Sequence, residues 1–127
     1  MSILADTSMW VDHLRDSDTA LGRLLTSGSS VAYTEPVLME VLMGARSDSE
    51  WCTLRRFMTG ADLIPFESIA DFEGAARINR QGRANGITLS KFDCLILAVA
   101  KRTEVALVTR DQRQAEVAQL IGVRLAS

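Results

Sequence analysis

The sequence predicts a single α/β domain in which a parallel sheet is covered by helices on both faces. Short apolar segments alternate with longer helical ones along the whole chain, which is typical of a parallel sheet with crossover helices. The length of 127 residues suffices for one compact domain and is short for two. Only two prolines and eight glycines are present, and no repeat or low-complexity tract occurs. We therefore expect one domain spanning 1–127.

The first half of the chain predicts two strands and four helices. The glycine and serines of SGSS at 27–30 end the second helix. Pro36 suits the first turn of the third helix, because its missing N–H would have no partner there. The predicted elements, in order, are a buried strand at 2–5, a helix at 7–15, a helix around Leu21, Leu24 and Leu25, a brief strand at 31–33, and helices at 34–45 and 48–59.

The second half predicts three helices and two strands, with a short third strand near the end. The dipeptide NG at 85–86 ends the first of these helices. The segment SKFDCLILAVAKR is too apolar to be a surface helix, and VALVT has the clearest strand pattern. The predicted elements, in order, are a strand at 63–66, helices at 68–84 and 90–102, a strand at 105–109, a helix opened by Asp111, and an optional strand in VRLA at 123–126.

Composition and charge exclude several classes of protein. The formal net charge of −2 provides no general basic surface, so any nucleic-acid binding must depend on local cations. No apolar run approaches the roughly 20 residues that cross a bilayer, and no secretory signal pattern opens the chain. Cys52 and Cys94 are isolated, which argues against a zinc site or a disulfide framework. We expect both to be buried thiols in a reducing cytoplasm.

Four acidic residues occupy positions that suggest a shared site. Asp6 follows the first strand, and Asp111 comes one residue after VALVT. Both therefore stand at strand ends of the same polarity, where ligands bind in open α/β sheets. Glu40 and Asp93 are embedded in strongly apolar helices, where an unpaired charge is costly. We predict that the four carboxylates converge.

Each acid also has a structural explanation when taken alone. Asp6 and Asp111 stand at helix starts, where Asp is a favoured N-cap. Asp93 comes three residues after a serine, as in a capping box, although Glu or Gln is the usual partner. Glu40 lies in mid-helix and could pair with Arg46 or another arginine. The structural alternatives need four independent explanations, whereas a shared site needs one. We therefore favour the shared site.

Converging carboxylates indicate a site for a hard divalent cation. Mg²⁺ and Mn²⁺ prefer carboxylate oxygen. Two carboxylates about 4 Å apart repel by about 4 kcal/mol at an effective dielectric near 20, and a bound ion offsets this repulsion. Such an ion can lower the pKa of bound water and stabilise a phosphodiester transition state. His13 is the only histidine, so histidine acid–base chemistry is not expected, and a serine nucleophile would lack its base.

Four motifs are distributed over nearly the full chain: LADTSMWVDHLR, EPVLMEVLMGAR, DCLILAVAKR and VALVTRD. By their order and spacing they resemble the PIN-domain ribonucleases, in particular the toxins of bacterial VapBC-type toxin–antitoxin pairs. The resemblance implies a PIN-like three-layer fold with about four to five parallel strands. It also implies that the metal-binding and catalytic acids are Asp6, Glu40, Asp93 and Asp111. Many relatives carry an aromatic residue shortly after the last acid, whereas this chain has RDQRQAEV.

The resemblance further implies a cytoplasmic endoribonuclease that hydrolyses RNA phosphodiester bonds with one or two Mg²⁺ or Mn²⁺ ions. It implies a homodimer and a cognate antitoxin whose C-terminal segment covers the site, with no membrane association. The hydroxyls that could orient a carboxylate or water, or merely begin helices, are those of Thr7, Ser8 and Thr109. The cations near the acids that we expect to contact RNA phosphates are Lys91, Arg110 and Arg113.

Two further features leave alternatives open. Arg77, Arg80 and Arg83 form a row along one helix edge, which is either a solvated face or an RNA contact. Helices 7–15, 34–45 and 48–59, with Trp10, Trp51 and five methionines chain-wide, hold more apolar surface than one small sheet can cover. This surplus predicts self-association, and a well-packed monomeric core is the alternative.

Other function classes remain as alternatives to the nuclease. A response-regulator receiver has a pair of acids near its first strand, whereas ILADTS contains one. A haloacid-dehalogenase-type phosphatase needs a second aspartate two residues after the first, where this chain has Ser8. A catalytically silent binding module could keep the fold without activity, although the full set of four acids argues against it.

Overall fold

A computed structural model describes residues 2–15 and 20–126, and these contain a four-stranded parallel sheet. The strands are β1 Ser2–Ala5, β2 Ser30–Tyr33, β3 Asp62–Leu63 and β4 Ala106–Val108. Their order across the sheet is β3-β2-β1-β4, with Leu4 of β1 opposite Ala32 on one side and Leu107 on the other. The carboxyl ends of β1 and β4 are therefore neighbours. The first and last residues of the predicted domain 1–127 lie outside the described residues.

Seven helices connect and cover the strands in the part of the chain that the structure describes. The N-termini of α4 and α6 are capped by serines, since Ser47 accepts from the N–H of Glu50 and Ser90 accepts from the N–H of Asp93. Pro36 lies in the first turn of α3, as predicted. The helices are α1 Thr7–Arg15, α2 Ala20–Thr26, α3 Glu35–Met43, α4 Asp48–Thr59, α5 Ser68–Ala84, α6 Lys91–Thr103 and α7 Gln112–Leu120.

Burial of the inner strands confirms the three-layer arrangement. All three residues of β4 are buried, as are Val31, Ala32 and Tyr33 of β2. Because successive side chains of a strand point to opposite faces, burial of consecutive residues requires helices on both faces. None of the described helices is long and apolar enough to cross a membrane.

The strand predictions at 63–66 and 123–126 were longer than the strands observed. β3 has two residues, and its pairing continues only through the N–H of Ile64, which donates to the carbonyl of Tyr33 at 2.8 Å. Pro65 follows and has no N–H to donate, which ends the ladder. The segment VRLA forms a single bridge between Leu107 and Leu125 in place of a full strand.

Two predictions about burial were wrong. Trp10 is 1% exposed, its indole N–H donates to the carbonyl of Ala5, and it therefore adds nothing to the predicted surplus of apolar surface. Cys52 is exposed, whereas Cys94 is buried as predicted. The exposed apolar side chains on α3 and α4 are instead Met39, Met43, Trp51 and Phe57.

Close packing joins α5 to α6. The turn at Asn85 and Gly86 ends α5, and Gly86 has a φ of +78°, which favours glycine. A side chain at Gly82 would come within 2.7 Å of the carbonyl oxygen of Ile87, so only glycine fits this approach of the helix to the following loop. The short connection makes α5 and α6 antiparallel neighbours, with α6 beginning beside the end of α5.

Candidate active site

Asp6 lies where β1 and β4 end side by side. Its N–H donates to the carbonyl of Val108 at 3.0 Å and extends the pairing of these strands to the edge of the sheet. Its carboxylate is 3% exposed. Oδ1 accepts from the N–H of Ser8 at 3.1 Å, a bond that caps α1, while Oδ2 accepts from the hydroxyls of Ser8 and Thr109. Asp6 thus caps a helix with one oxygen and joins β4 with the other.

Glu40 extends from the middle of α3 towards the N-terminus of α1. Its Oε1 accepts a hydrogen bond of 2.6 Å from the hydroxyl of Thr7. Burial raises the pKa of Glu40, the bond from Thr7 opposes this rise, and the negative charge of Asp6 adds to it. No ion pair with Arg46 occurs among the described residues. The salt-bridge explanation of Glu40 therefore finds no support here.

Asp93 is the acid whose pKa is raised by the charges of all three other acids. It lies in the first turn of α6, and its N–H donates to the hydroxyl of Ser90 at 3.1 Å. Burial is the largest cause that raises its pKa, to about 6, and a hydrogen bond with Ser90 opposes the rise. The remaining causes are the negative charges of Asp6, Asp111 and Glu40. The other three acids are therefore close enough to Asp93 to repel its charge.

Asp111 is the most exposed member of this group, and it is the N-cap of α7. Its Oδ1 accepts from the N–H groups of Arg113 at 2.9 Å and Gln114 at 3.2 Å. Its own N–H donates to the hydroxyl of Thr109, which also bonds Asp6. The capping explanation is correct for one oxygen of Asp111. Its charge still acts on Asp93 across the site.

The three hydroxyls singled out from the sequence all contact this acid cluster, defined as Asp6, Glu40, Asp93 and Asp111. Thr7 donates to Glu40, while Ser8 and Thr109 donate to Asp6. They hold the carboxylates in place, since hydrogen bonds to ionised oxygens are the stronger kind. That they orient an ion or a water molecule remains a prediction.

The cations predicted to contact RNA differ in their surroundings. Arg110 pairs with Asp12 of α1, in an exposed pair that contributes little to stability. Lys91 and Arg113 are exposed at the starts of α6 and α7. No member of the acid cluster forms an ion pair within the described ranges 2–15 and 20–126. The carboxylates therefore face one another without a basic partner.

The residues present fit a hard cation by their chemistry. All four donors are carboxylates, and two buried polar atoms at the same edge have no hydrogen-bond partner, namely Thr34 Oγ1 and Gln114 Oε1. In this arrangement no three metal-binding side chains of the described residues form a ready-made ion cluster. The carboxylates of Asp6 and Glu40 accept from hydroxyls, and that of Asp111 accepts from backbone N–H groups.

Gln114 is a residue of the site that the sequence reasoning missed. Its side chain is 0% exposed, and its amide donates weakly to the carbonyl of Asp93 at 3.5 Å, which links α7 to α6. The local signal was available, because Gln three residues after the N-cap Asp111 matches a capping box. Gln114 also precedes Val117 and Ala118 on the buried face of α7.

Comparison with known proteins agrees with this fold. The family model of the PIN domain matches residues 3–120. The chain is 35% identical to VapC ribonuclease Mb1587 of Mycobacterium bovis, over 98% of each chain. It resembles the DNA-bound VapBC of Salmonella typhimurium with a TM-score of 0.82, 17% identity, and 99% and 97% of the two chains covered. It resembles VapBC-1 of nontypeable Haemophilus influenzae with a TM-score of 0.80, 8% identity, and 100% and 98% covered.

Proposed function

This chain belongs to the PIN-domain family, and we propose that it is an endoribonuclease toxin that hydrolyses RNA phosphodiester bonds and is inhibited by a cognate antitoxin. The observation that carries the proposal is the meeting of four acids without a basic partner. A structural cluster of this kind would lower stability, because like charges repel in a half-buried site. In a site that binds a cation and a phosphate, the same clustered negative charge is needed to hold the cation.

We propose that Asp6, Glu40, Asp93 and Asp111 hold Mg²⁺ or Mn²⁺. When bound, such an ion lowers the pKa of a water molecule and stabilises the negative charge of a phosphodiester transition state. The absence of a cationic partner for these carboxylates among the described residues and the orphaned oxygen of Gln114 support this assignment. Asp111 keeps its capping bonds through Oδ1, which leaves Oδ2 for an ion.

The hydroxyls and cations around the cluster have separate roles in the proposed reaction. Thr7 fixes the rotamer of Glu40, while Ser8 and Thr109 fix that of Asp6. Lys91 and Arg113 are free to contact RNA phosphates, since both are exposed. Arg110 can join them by exchanging its exposed contact with Asp12 for a phosphate. Together they would hold the backbone of the RNA over the carboxylates.

The antitoxin is proposed because the chain has the fold of proteins solved as toxin–antitoxin complexes. A segment of that partner would inhibit cleavage by covering the acid cluster. The proposal also places the protein in the cytoplasm, where RNA is available. Adding the protein encoded beside this chain's gene should abolish RNA cleavage at a stoichiometric ratio. Full cleavage in the presence of a tightly bound neighbour protein would contradict inhibition at this site.

A homodimer is proposed from the exposed apolar residues of α3 and α4. Met39 and Met43 lie one turn apart on α3, and both are more than half exposed. Exposed apolar patches mark interfaces. Light scattering at tens of micromolar should show a dimer for the wild type and a monomer for Met39→Lys/Met43→Lys. Leu120→Lys, an exposed position on α7, is the matched control. A monomeric wild type would contradict the dimer.

The activity itself is tested by cleavage of total cellular RNA with mapped ends. Purified protein should cut RNA in Mg²⁺ or Mn²⁺, stop when EDTA is added, and resume when the metal is restored. Glu40→Gln should abolish cutting, whereas Glu116→Gln, the same change at an exposed residue of α7, should leave it unchanged. Undiminished cleavage in EDTA would refute the metal mechanism. RNA binding without cleavage in any metal would favour the silent binding module.

A further inference from the structure

A cavity of about 530 Å³ lies between α5 and α6, outside the acid cluster. Its volume is within the range of roughly 300–1,000 Å³ that is usual for small-ligand sites. Alanines and Leu95 form much of its apolar floor. The residues with specific chemistry around it are Phe72, Asn79, Arg80, Arg83, Lys91 and Cys94. We refer to it as the α5–α6 pocket.

The cations of the α5–α6 pocket have no counter-charge. Arg80, Arg83 and Lys91 form no ion pair within the described part of the chain, and no acidic residue lines the pocket. Arg77, on the same helix, differs from them, because it pairs with Glu73 at 3.6 Å and does not line the pocket. These three cations therefore edge an apolar pocket, where they can contact an anionic group of a ligand.

The α5–α6 pocket and the acid cluster share the first turn of α6. Lys91 and Cys94 line the pocket, and Asp93 lies between them in the first turn of α6. The antiparallel pairing of the helices brings Arg83, near the end of α5, towards this same turn. A polyanion whose backbone reaches Asp93 would therefore continue past Lys91 into the pocket.

Phe72 supplies an aromatic face to the pocket. It is 56% exposed, and its ring packs edge-on against Phe66 with the centroids 5.1 Å apart, which fixes its orientation. Aromatic side chains held in this way stack with unpaired bases. Asn79 adds an amide whose one side-chain hydrogen bond to the described residues is a long one of 3.9 Å to Cys94 Sγ. Its donor and acceptor can pair with the edge of a base.

We propose that the α5–α6 pocket binds an unstacked nucleobase of the single-stranded RNA substrate, beside the site of cleavage. Phe72 stacks on the base, Asn79 reads its edge, and Arg80, Arg83 and Lys91 hold the adjoining phosphates. The inference rests on the proposed ribonuclease function, since it assigns the pocket to the same RNA. It makes Asn79 the side chain that reads the sequence, while the other four hold and position the strand. An apolar floor edged by cations beside an acid site matches a base with its phosphates.

Binding of fluorescent RNA oligonucleotides of about ten nucleotides, measured in EDTA, tests the pocket without cleavage. We expect Phe72→Leu, which keeps an apolar side chain but loses the ring, to weaken binding about tenfold. Arg80→Gln/Arg83→Gln should weaken binding and lower the slope of log K against log salt by about 0.7 per lost phosphate contact. Arg77→Gln is the matched control and should bind as the wild type does. Thermal melting would establish that each variant is folded.

Mapped cut sites test the reading of the base. Asn79→Ala should relax the preference for one base at a single position near the cut, which the mapped ends show directly. Unchanged RNA affinity in Phe72→Leu and in the arginine variant would overturn the proposal. So would loss of dimerisation in these variants with unchanged RNA binding, which would assign the pocket to a second copy of the chain. Selective loss of binding to a synthetic leucine- and glutamate-rich helical peptide would assign it to a protein partner.

The pocket and the nuclease activity fail in distinguishable ways. If the wild type cuts RNA and the pocket variants match it in affinity and cut-site preference, the pocket assignment is wrong and the nuclease stands. If the wild type binds RNA through the pocket but cuts nothing in Mg²⁺ or Mn²⁺, the pocket assignment stands and the nuclease is wrong.

Discussion

Two regions of the described structure bury acidic side chains, and they differ in whether a cation of the chain balances the negative charge. Asp71, near the start of α5, is 1% exposed, and both its oxygens accept from Arg102, each at 2.9 Å. The N–H of Glu67 adds a bond of 2.7 Å. Asp6 is buried almost as completely, yet it accepts only from hydroxyls and one N–H.

The pKa shifts reflect the same difference. A hydrogen bond from Arg102 to Asp71 is the largest cause that raises the pKa of the arginine, which means that the pair stabilises its charge. At the acid cluster burial and the surrounding negative charges raise the pKa of Asp93 to about 6. One region stabilises ionised groups, and the other destabilises them.

Burial of an acid is therefore not in itself a sign of function. Asp71 is as deeply buried as any acid in the described residues, but the fold provides its counter-ion, so its role is structural. The acid cluster has no counter-ion among the described residues, so a bound cation is what would balance its charge. A buried acid indicates function when the fold provides no cationic partner for it.

The largest expected effect is on stability at the ion pair. Asp71→Ala leaves the partly buried Arg102 with only its exposed partner Glu67 and the carbonyl of Pro65, so we expect a cost near the lower end of the 3–5 kcal/mol range for breaking a buried pair, about 3 kcal/mol. Urea denaturation should show this loss, with a melting temperature lower by roughly 9–18 °C. Cleavage per folded molecule should not change. If Asp71→Ala lost cleavage while keeping its stability, the two regions would not differ as described.

The opposite pattern is expected at the cluster for Asp6→Asn. Asparagine keeps the capping oxygen, so the fold should survive, and the metal-free variant should gain about 1 kcal/mol from reduced repulsion, or roughly 3–6 °C in melting temperature. RNA cleavage should fall more than about a hundredfold, since losing residues that merely support metal ligands already costs 10–100-fold. Mn²⁺ should narrow the stability gap, because the wild type binds it better. Near-normal cleavage would leave Asp6 as a helix cap alone.

The next effect is a pH dependence of the metal-free protein. The pKa of Asp93 rises from its usual 3.8 to about 6, so the native state holds its proton more tightly than the unfolded state does. This contribution to stability is present below pH 4 and is lost as pH rises through about 6. Its size is about 1–2 kcal/mol once screening of this partly exposed group is allowed for.

Subtracting the stability of Asp93→Asn from that of the wild type at each pH isolates this contribution, because the asparagine does not titrate. Melting in EDTA between pH 4 and 7.5 is the measurement. A difference curve that is flat, or that rises with pH, would show that Asp93 does not face the other acids as the structure places it.

The smallest expected effect concerns the hydroxyl that holds Glu40. Thr7→Val keeps the shape of the side chain but removes the bond of 2.6 Å, so Glu40 is less well oriented and its pKa should rise further. We expect about a tenfold loss of cleavage and a stability change under about 1 kcal/mol. Thr53→Val on α4 is the matched control, because that hydroxyl bonds only the carbonyl of Ser49. Equal activities would assign Thr7 to the helix start alone.

The sequence by itself determined the order of strands and helices and the identity of the four acids. Helix starts were visible at Ser90 and Asp111, and the end of α5 at Asn85 and Gly86, because caps and turns depend on neighbouring residues. The acids stood out because charged residues were placed at strand ends or in apolar helices. Both kinds of signal are local in the chain.

Only the tertiary structure decided which side chains meet. Thr7 reaches Glu40 across 33 residues, Arg102 reaches Asp71 across 31, and Thr109 reaches Asp6 across 103. The contact of Thr109 with Asp6 follows from the strand order β3-β2-β1-β4, which places β4 beside β1, and that of Arg102 with Asp71 follows from the packing of α5 on α6. Nothing in the sequence near Asp71 and Asp6 distinguishes the acid that has a cationic partner from the acid that lacks one. The difference comes from Arg102, which lies on another helix and far along the chain from Asp71.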